Sequence, residues 1–249
     1  MSKKRYFLLD SLRGITLVSM MIYHAVWDLV YIFNCRVPWY HSDAAFIWQQ
    51  SICCTFILLS GFCWSLGGKK IKRALQVIGA SVLISAVTVL LMPDNKILFG
   101  VLSVIGTGML VMIPLDQVFR KINPYWGMLV SFCLFIIMRK ADVGYLGFGD
   151  WKLLRLPDEW YANLFTSYLG FPAADFWSTD YFPVIPWLFL YWTGYCWDRI
   201  LEQGNWLNCL KGFRMRPLEV LGRHSLEIYL LHQPIIYGVL YVLFGIVLE

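Results

Sequence analysis

The chain has 249 residues, of which 59% are hydrophobic, 17% aromatic and only 15% charged, with a formal net charge of +5. An ordinary soluble domain carries about 25% charged residues, so this composition excludes one and points to lipid as the solvent. The basic excess is scattered over short loops instead of forming a stripe, which excludes nucleic acid as a partner and fits attraction to anionic headgroups.

A membrane-spanning helix needs about 20 mainly apolar residues. Taken in chain order, the stretches Leu12–Phe33, Phe46–Leu66, Ile71–Met92, Ile97–Val118, Tyr125–Met138, Phe182–Asp198 and Leu218–Val247 predict seven spans. The fifth is short. None alternates polar with apolar residues as a barrel strand would, so the expected fold is an all-α integral membrane bundle, a single domain over residues 1–249. Ser2-Lys3-Lys4-Arg5, Lys69 to Arg73, Arg120-Lys121, Arg199, Lys211, Arg214 and Arg216 fall on one side of the seven-span count. That bias predicts a cytoplasmic N-terminus and an outward C-terminus. Residues 139–181 then form an outward cap loop, in which Trp160–Phe171 suggests an interfacial helix. The seven cysteines lack metal-ligand spacing and read as small core residues, so no metal is expected.

Ionisable groups within spans are costly, which makes the few that occur candidates for function. The first span carries Asp10, Arg13, His24 and Asp28. Asp10 suits a helix N-cap. Arg13 and His24 are eleven residues apart, so they return to nearly the same face about 16 Å apart along the axis, with Asp28 one turn beyond. The last span carries Arg223, His224, Glu227 and His232. Arg223 and Glu227 have the spacing of a helical ion pair. His232 falls at a height comparable with His24, which suggests a shared polar chamber, and Gln233-Pro234 is expected to disturb the helix there. Outside the spans stand His41 and, at the head of Asp180-Tyr181-Phe182-Pro183-Val184-Ile185-Pro186-Trp187, Asp180. From the residues alone, this polar file suits an acyl-transfer enzyme, a small proton-linked transporter, or an assembly subunit whose polar pairs hold helices together.

Leu9-Asp10-Ser11-Leu12-Arg13-Gly14, followed by Met20, Met21 and His24, resembles the catalytic-domain family of heparan-alpha-glucosaminide N-acetyltransferase. Phe56-Ile57-Leu58-Leu59-Ser60-Gly61 and the closing run from Gly222 to Pro234 resemble the same family and the wider transmembrane acyltransferases. The resemblance implies an acetyl group taken from cytoplasmic acetyl-CoA and delivered to an amino or hydroxyl group of an extracytoplasmic sugar or glycan. It implies a multi-pass protein of the cell membrane, with a possible homo-oligomer. Arg13 would hold the CoA side, joined by Arg223, Lys69, Lys70 and Lys72 as phosphate ligands. His24, oriented by Asp28 and accompanied by His232, would stand beside the acyl group. Family members with asparagine at the position of His24 place the catalytic histidine in the following loop, about where His41 stands. His24 and His41 are therefore both candidate bases.

Overall fold

The computed structural model describes residues 6–211 and 214–245, without the side chain of Cys209. Ser2-Lys3-Lys4-Arg5 and the end of the expected seventh span at Val247 lie outside the described residues. So do the two chain ends whose sides of the membrane the basic bias predicts.

Among the described residues the chain forms nine α-helices: α1 (Phe7–Tyr31), α2 (Asp43–Phe62), α3 (Lys70–Leu91), α4 (Val101–Phe119), α5 (Pro124–Met138), α6 (Leu164–Leu169), α7 (Val184–Gln203), α8 (Arg216–Arg223) and α9 (Ser225–Leu240). Five described stretches are long and apolar enough to cross a membrane: α1, α2, α3, α4 and Ser225–Phe244. The other two expected spans are helical but fall outside that group. The fifth, α5, has 15 residues, a rise of about 22 Å against the ~30 Å of a hydrocarbon core. The sixth, α7, has 20 residues, including Asp198, Arg199 and Glu202 near its end.

Three expectations change in detail. The last span is not one helix from Leu218. The chain turns at His224 (φ −100°, ψ 28°), which ends α8, and α9 then runs through Pro234 without a break. A proline within a membrane helix frees backbone groups that neighbouring groups can satisfy, so it need not end the helix. The cap is also not wholly helical. Tyr145–Phe148 (β1) and Trp151–Arg155 (β2) pair as an antiparallel hairpin around Gly149-Asp150, with Gly149 at φ +56°. A glycine followed by aspartate between two apolar runs is the turn signal that the all-helical expectation overlooked. Of the interfacial helix expected over Trp160–Phe171, only Leu164–Leu169 is α-helical, started by a capping box between Asn163 and Thr166.

The residues fall into two compact units, one running up to Phe56 and resuming at Asn205, the other spanning Ile57–Gly204. In the first unit α1 packs on α8 and α9. Its core joins Leu17, Met20 and Ile52 to Trp48, Leu221, Ile228 and Tyr229, and the Trp48 Nε1–H donates to Ser19 Oγ at 2.8 Å. In the second unit α5 packs on α7, and α4 on both α3 and α7. The cap belongs to this unit, where Ala141, Leu156 and Phe171 form its core and the Tyr161 hydroxyl donates to the Ala141 carbonyl at 2.5 Å.

Candidate active site

The candidate residues on α1, α8 and α9 all lie in the first unit, and close backbone contact brings them together. A Cβ at Gly14 would lie 2.1 Å from the Leu218 carbonyl oxygen, and one at Gly222 would lie 1.9 Å from that of Asp10. Only glycine at both places lets α1 and α8 touch backbone to backbone, the contact that small residues give membrane helices. Each of these glycines adjoins an arginine, Arg13 and Arg223, so the crossing sets the two guanidinium groups on neighbouring helices.

Around the crossing lies a mixed ionic cluster. Arg13 Nη1 is 3.6 Å from Asp10 Oδ1, and Arg223 Nε is 4.0 Å from Asp10 Oδ2. Arg223 Nη2 lies 3.3 Å from Glu219 Oε2, and Arg214 Nε donates to Glu219 Oε1 at 3.2 Å. Asp10 is therefore not the N-cap: α1 begins at Phe7 with Tyr6 before it, and Asp10 sits within the first turn as an ion-pair partner. Arg223 likewise pairs backwards to Glu219 and not forwards to Glu227, because Glu227 follows the turn at His224 and is exposed. Glu219 and Arg214 were overlooked as members of this cluster, although Glu219 and Arg223 have the i,i+4 spacing that signals such a pair. Three arginines face two acids here, and the side chains of Arg13 and Arg223 remain 21% and 34% exposed. The cluster can thus still accept an anion.

Higher on the same face of α1, the rings of His24 and His232 lie 4.8 Å apart between centroids, tilted by 60°. The equal height expected from the spacing is realised as direct ring contact. His232 is 7% exposed, and its Nδ1 lies 2.6 Å from the Tyr229 carbonyl. A carbonyl only accepts, so Nδ1 carries the proton and Nε2 presents its lone pair. Asp28, fully buried, does not bond His24 one turn below it. Its Oδ1 instead accepts from Gln233 Nε2 at 2.5 Å, tying α1 to α9. Gln233 was read as a helix disturber, and its role as the partner of Asp28 depends on the α1–α9 packing that the sequence does not display.

The remaining candidates lie elsewhere. His41 is exposed at the end of the 3-10 turn Pro38–His41. Its ring is 6.1 Å from that of Tyr40, which is 5.3 Å from Tyr23, which is 6.1 Å from His24. Two tyrosine rings therefore separate the two candidate bases. Lys69, Lys70 and Lys72 belong to the second unit, where Lys70 Nζ sits 3.2 Å above the Trp64 ring and Lys69 precedes α3 with φ 52°. Asp180, also there, lies against Gly100 at the start of α4, and burial pushes its carboxyl up to about 6. Among the described residues, no three His, Cys, Asp or Glu side chains gather as a metal site.

Comparison with curated proteins and with solved structures gives no match. The family described as "Heparan-alpha-glucosaminide N-acetyltransferase, catalytic" matches residues 5–234, which include Arg13, His24, Asp28, Arg223 and His232. Nearly the whole chain is covered, including both helices that carry the paired histidines, and the protein belongs to this family of membrane acetyltransferases.

Proposed function

We propose that the protein moves an acetyl group from cytoplasmic acetyl-CoA to an amino or hydroxyl group of an extracytoplasmic sugar or glycan, as a multi-pass protein of the cell membrane. The observation that carries this reading is the contact of His24 with His232 at 4.8 Å. It lies on the face of α1 that bears Arg13 about 16 Å away, within a chain of an acetyltransferase family. That separation is on the order of the reach of a pantetheine arm, so a thioester can approach the histidines while the CoA phosphates stay with the arginines.

In this reading Arg13 and Arg223 bind phosphate oxygens, with Arg223 giving up part of its hold on Glu219. Lys69, Lys70 and Lys72 offer the same chemistry in the second unit, and neutralising all three tests whether they take part. His24 accepts a proton from the acceptor as its nitrogen or oxygen attacks the thioester carbonyl carbon. The carbon–sulfur bond breaks, His24 passes the proton to the departing thiolate, and the products are CoA thiol and the acetylated acceptor. His232, anchored through Nδ1–H to the Tyr229 carbonyl, fixes the face against which His24 rests. Asp28 acts through Gln233 to hold α1 and α9 in register at that level. His41 remains the alternative base, reached from the loop.

Incubating membranes that contain the protein with acetyl-labelled CoA and identifying the labelled product tests the reading. Label recovered on a sugar amine or hydroxyl is the expected result. Solute uptake into sealed vesicles with no consumption of thioester would replace this reading with a transporter.

A further inference from the structure

The β1–β2 hairpin takes no part in the proposed chemistry, yet it is the most apolar exposed feature of the cap. Phe148 is 68% exposed, Trp151 79%, Leu153 64% and Leu154 59%. The register pairs Phe148 with Trp151 across the Gly149-Asp150 turn, and Leu146 with Leu154, with the irregularity between Leu146 and Gly147. Residues directly opposite each other share a face, and alternate pairs return to it. Phe148, Trp151 and Leu154 therefore line one face of the ribbon with Leu146, which packs against the cap core, while Leu153 is the unpaired residue at the irregularity. Lys152, paired with Gly147, and Arg155, paired with Tyr145, stand on the other. Lys152 Nζ rests 5.1 Å from the Tyr145 ring on that polar side, and Arg155 pairs with Asp158 at 3.0 Å. A two-stranded ribbon is marginal in water on its own, and one with its large apolar face bare is more so.

Its place in the chain says what covers that face. The hairpin begins at Tyr145, seven residues beyond the end of α5 at Met138. The helix α5 exposes Trp126, Leu129, Val130 and Phe132 at 46–64%, a surface suited to acyl chains. Its 15 residues rise about 22 Å, some 8 Å short of a ~30 Å core, so a short connection from its end suits the level of the membrane–water interface. Tryptophan and phenylalanine at that level, backed by a lysine and an arginine, match the chemistry of the membrane–water interface. We infer that the 145–155 hairpin is an interfacial membrane anchor that lays Phe148, Trp151 and Leu154 into the lipid beside α5 and turns Lys152 and Arg155 toward the headgroups. The partner is the phospholipid bilayer. The anchor does not depend on the acetyl-transfer reading.

The test places a fluorophore on a cysteine at position 151 (Trp151→Cys in a background with the seven native cysteines replaced), and a second at the exposed position 158 (Asp158→Cys). Both proteins go into nanodiscs of phosphatidylcholine with nitroxide-labelled acyl chains. The label at 151 should be quenched by a shallow nitroxide at least twofold more than the label at 158, and should resist aqueous iodide. Equal quenching of both labels by iodide, with no effect of the nitroxide lipid at 151, would overturn the anchor. Protection from both quenchers that disappears on dilution to one chain per disc would also overturn it, assigning the face to a second copy. Should the cysteine-free background not fold, p-benzoylphenylalanine at Phe148 in the native chain gives the same decision. A phospholipid adduct on irradiation supports the anchor, whereas a dimer adduct or no adduct rejects it.

Discussion

Both units bring helices to backbone contact through reciprocal glycines. In the first, Gly14 meets the Leu218 carbonyl and Gly222 that of Asp10. In the second, Gly61 meets the Tyr191 carbonyl at 1.9 Å and Gly194 that of Leu58 at 2.1 Å. What they bury differs. Among the buried polar residues described, the first unit holds Asp10, Asp28, Glu219 and His232 beside Ser11 and Thr16, whereas the second holds one ionisable group, Asp198, beside four serines and Thr193. Burying ionisable groups within a bilayer is expensive, and a unit needing only adhesion can use hydroxyls. The same contact device thus serves packing in the second unit, while in the first it also fixes a cationic end and a histidine level. The acetyl-transfer reading belongs to the first unit for that reason.

The sharpest way to break this comparison is at the glycines. Gly222→Val and Gly194→Val each force side-chain atoms into a backbone carbonyl and are expected to cost more than the 1–3 kcal/mol of ordinary overpacking. Neither should yield a monodisperse peak on size exclusion in detergent. Gly79→Ala, with nothing within 4 Å of its Cβ, should behave as wild type. Normal folding of Gly222→Val would mean that α1 and α8 do not touch as described.

The next effect concerns the ionic cluster. Glu219→Ala leaves Arg214 and Arg223 without their shared acid, and thermal unfolding should show a loss of about 1–2 kcal/mol. That is less than for a sealed pair, because both arginines reach water. An unchanged melting temperature would mean that the pair contributes nothing to the fold.

Glycine pairs and ion-pair spacing also mark how far the sequence could be read. The apolar runs predicted α1 to α4 because length and composition alone decide what can cross lipid. Helical rise placed His24 and His232 at comparable heights and suggested a shared polar chamber, and their rings lie 4.8 Å apart. The partner of Asp28 was hidden: whether His24 or Gln233 takes its Oδ1 depends on the rotation of α9 against α1, which no local pattern encodes. The turn at His224 was missed likewise: Gly222, His224 and Ser225 are weak helix formers, but the apolar runs on either side of them read as one continuous span.

Asp180 offers a smaller, pH-dependent effect in the second unit. Its carboxyl rises from 3.8 to about 6 by burial, so between those values the folded state holds a proton that the unfolded state has released. The contribution to stability is complete below about pH 4 and is lost as pH climbs through 6. Asp180→Asn should flatten that part of the profile and raise the melting temperature at pH 7 relative to wild type. A wild-type melting temperature rising from pH 4 to 6, with no change in the variant's profile, would contradict the burial. The smallest effect is expected at Arg155 and Asp158, 80% and 81% exposed, where Arg155→Ala should change stability by no more than about 0.5 kcal/mol in detergent.

The most direct test of the account is single-turnover acetyl transfer by purified wild-type, His24→Ala and His41→Ala proteins of matched folding. A general base contributes about 10²- to 10⁴-fold, so His24→Ala should lose that factor while His41→Ala stays near wild type. Wild-type transfer by His24→Ala, or loss in His41→Ala alone, would contradict the assignment of the chemistry to the His24–His232 pair.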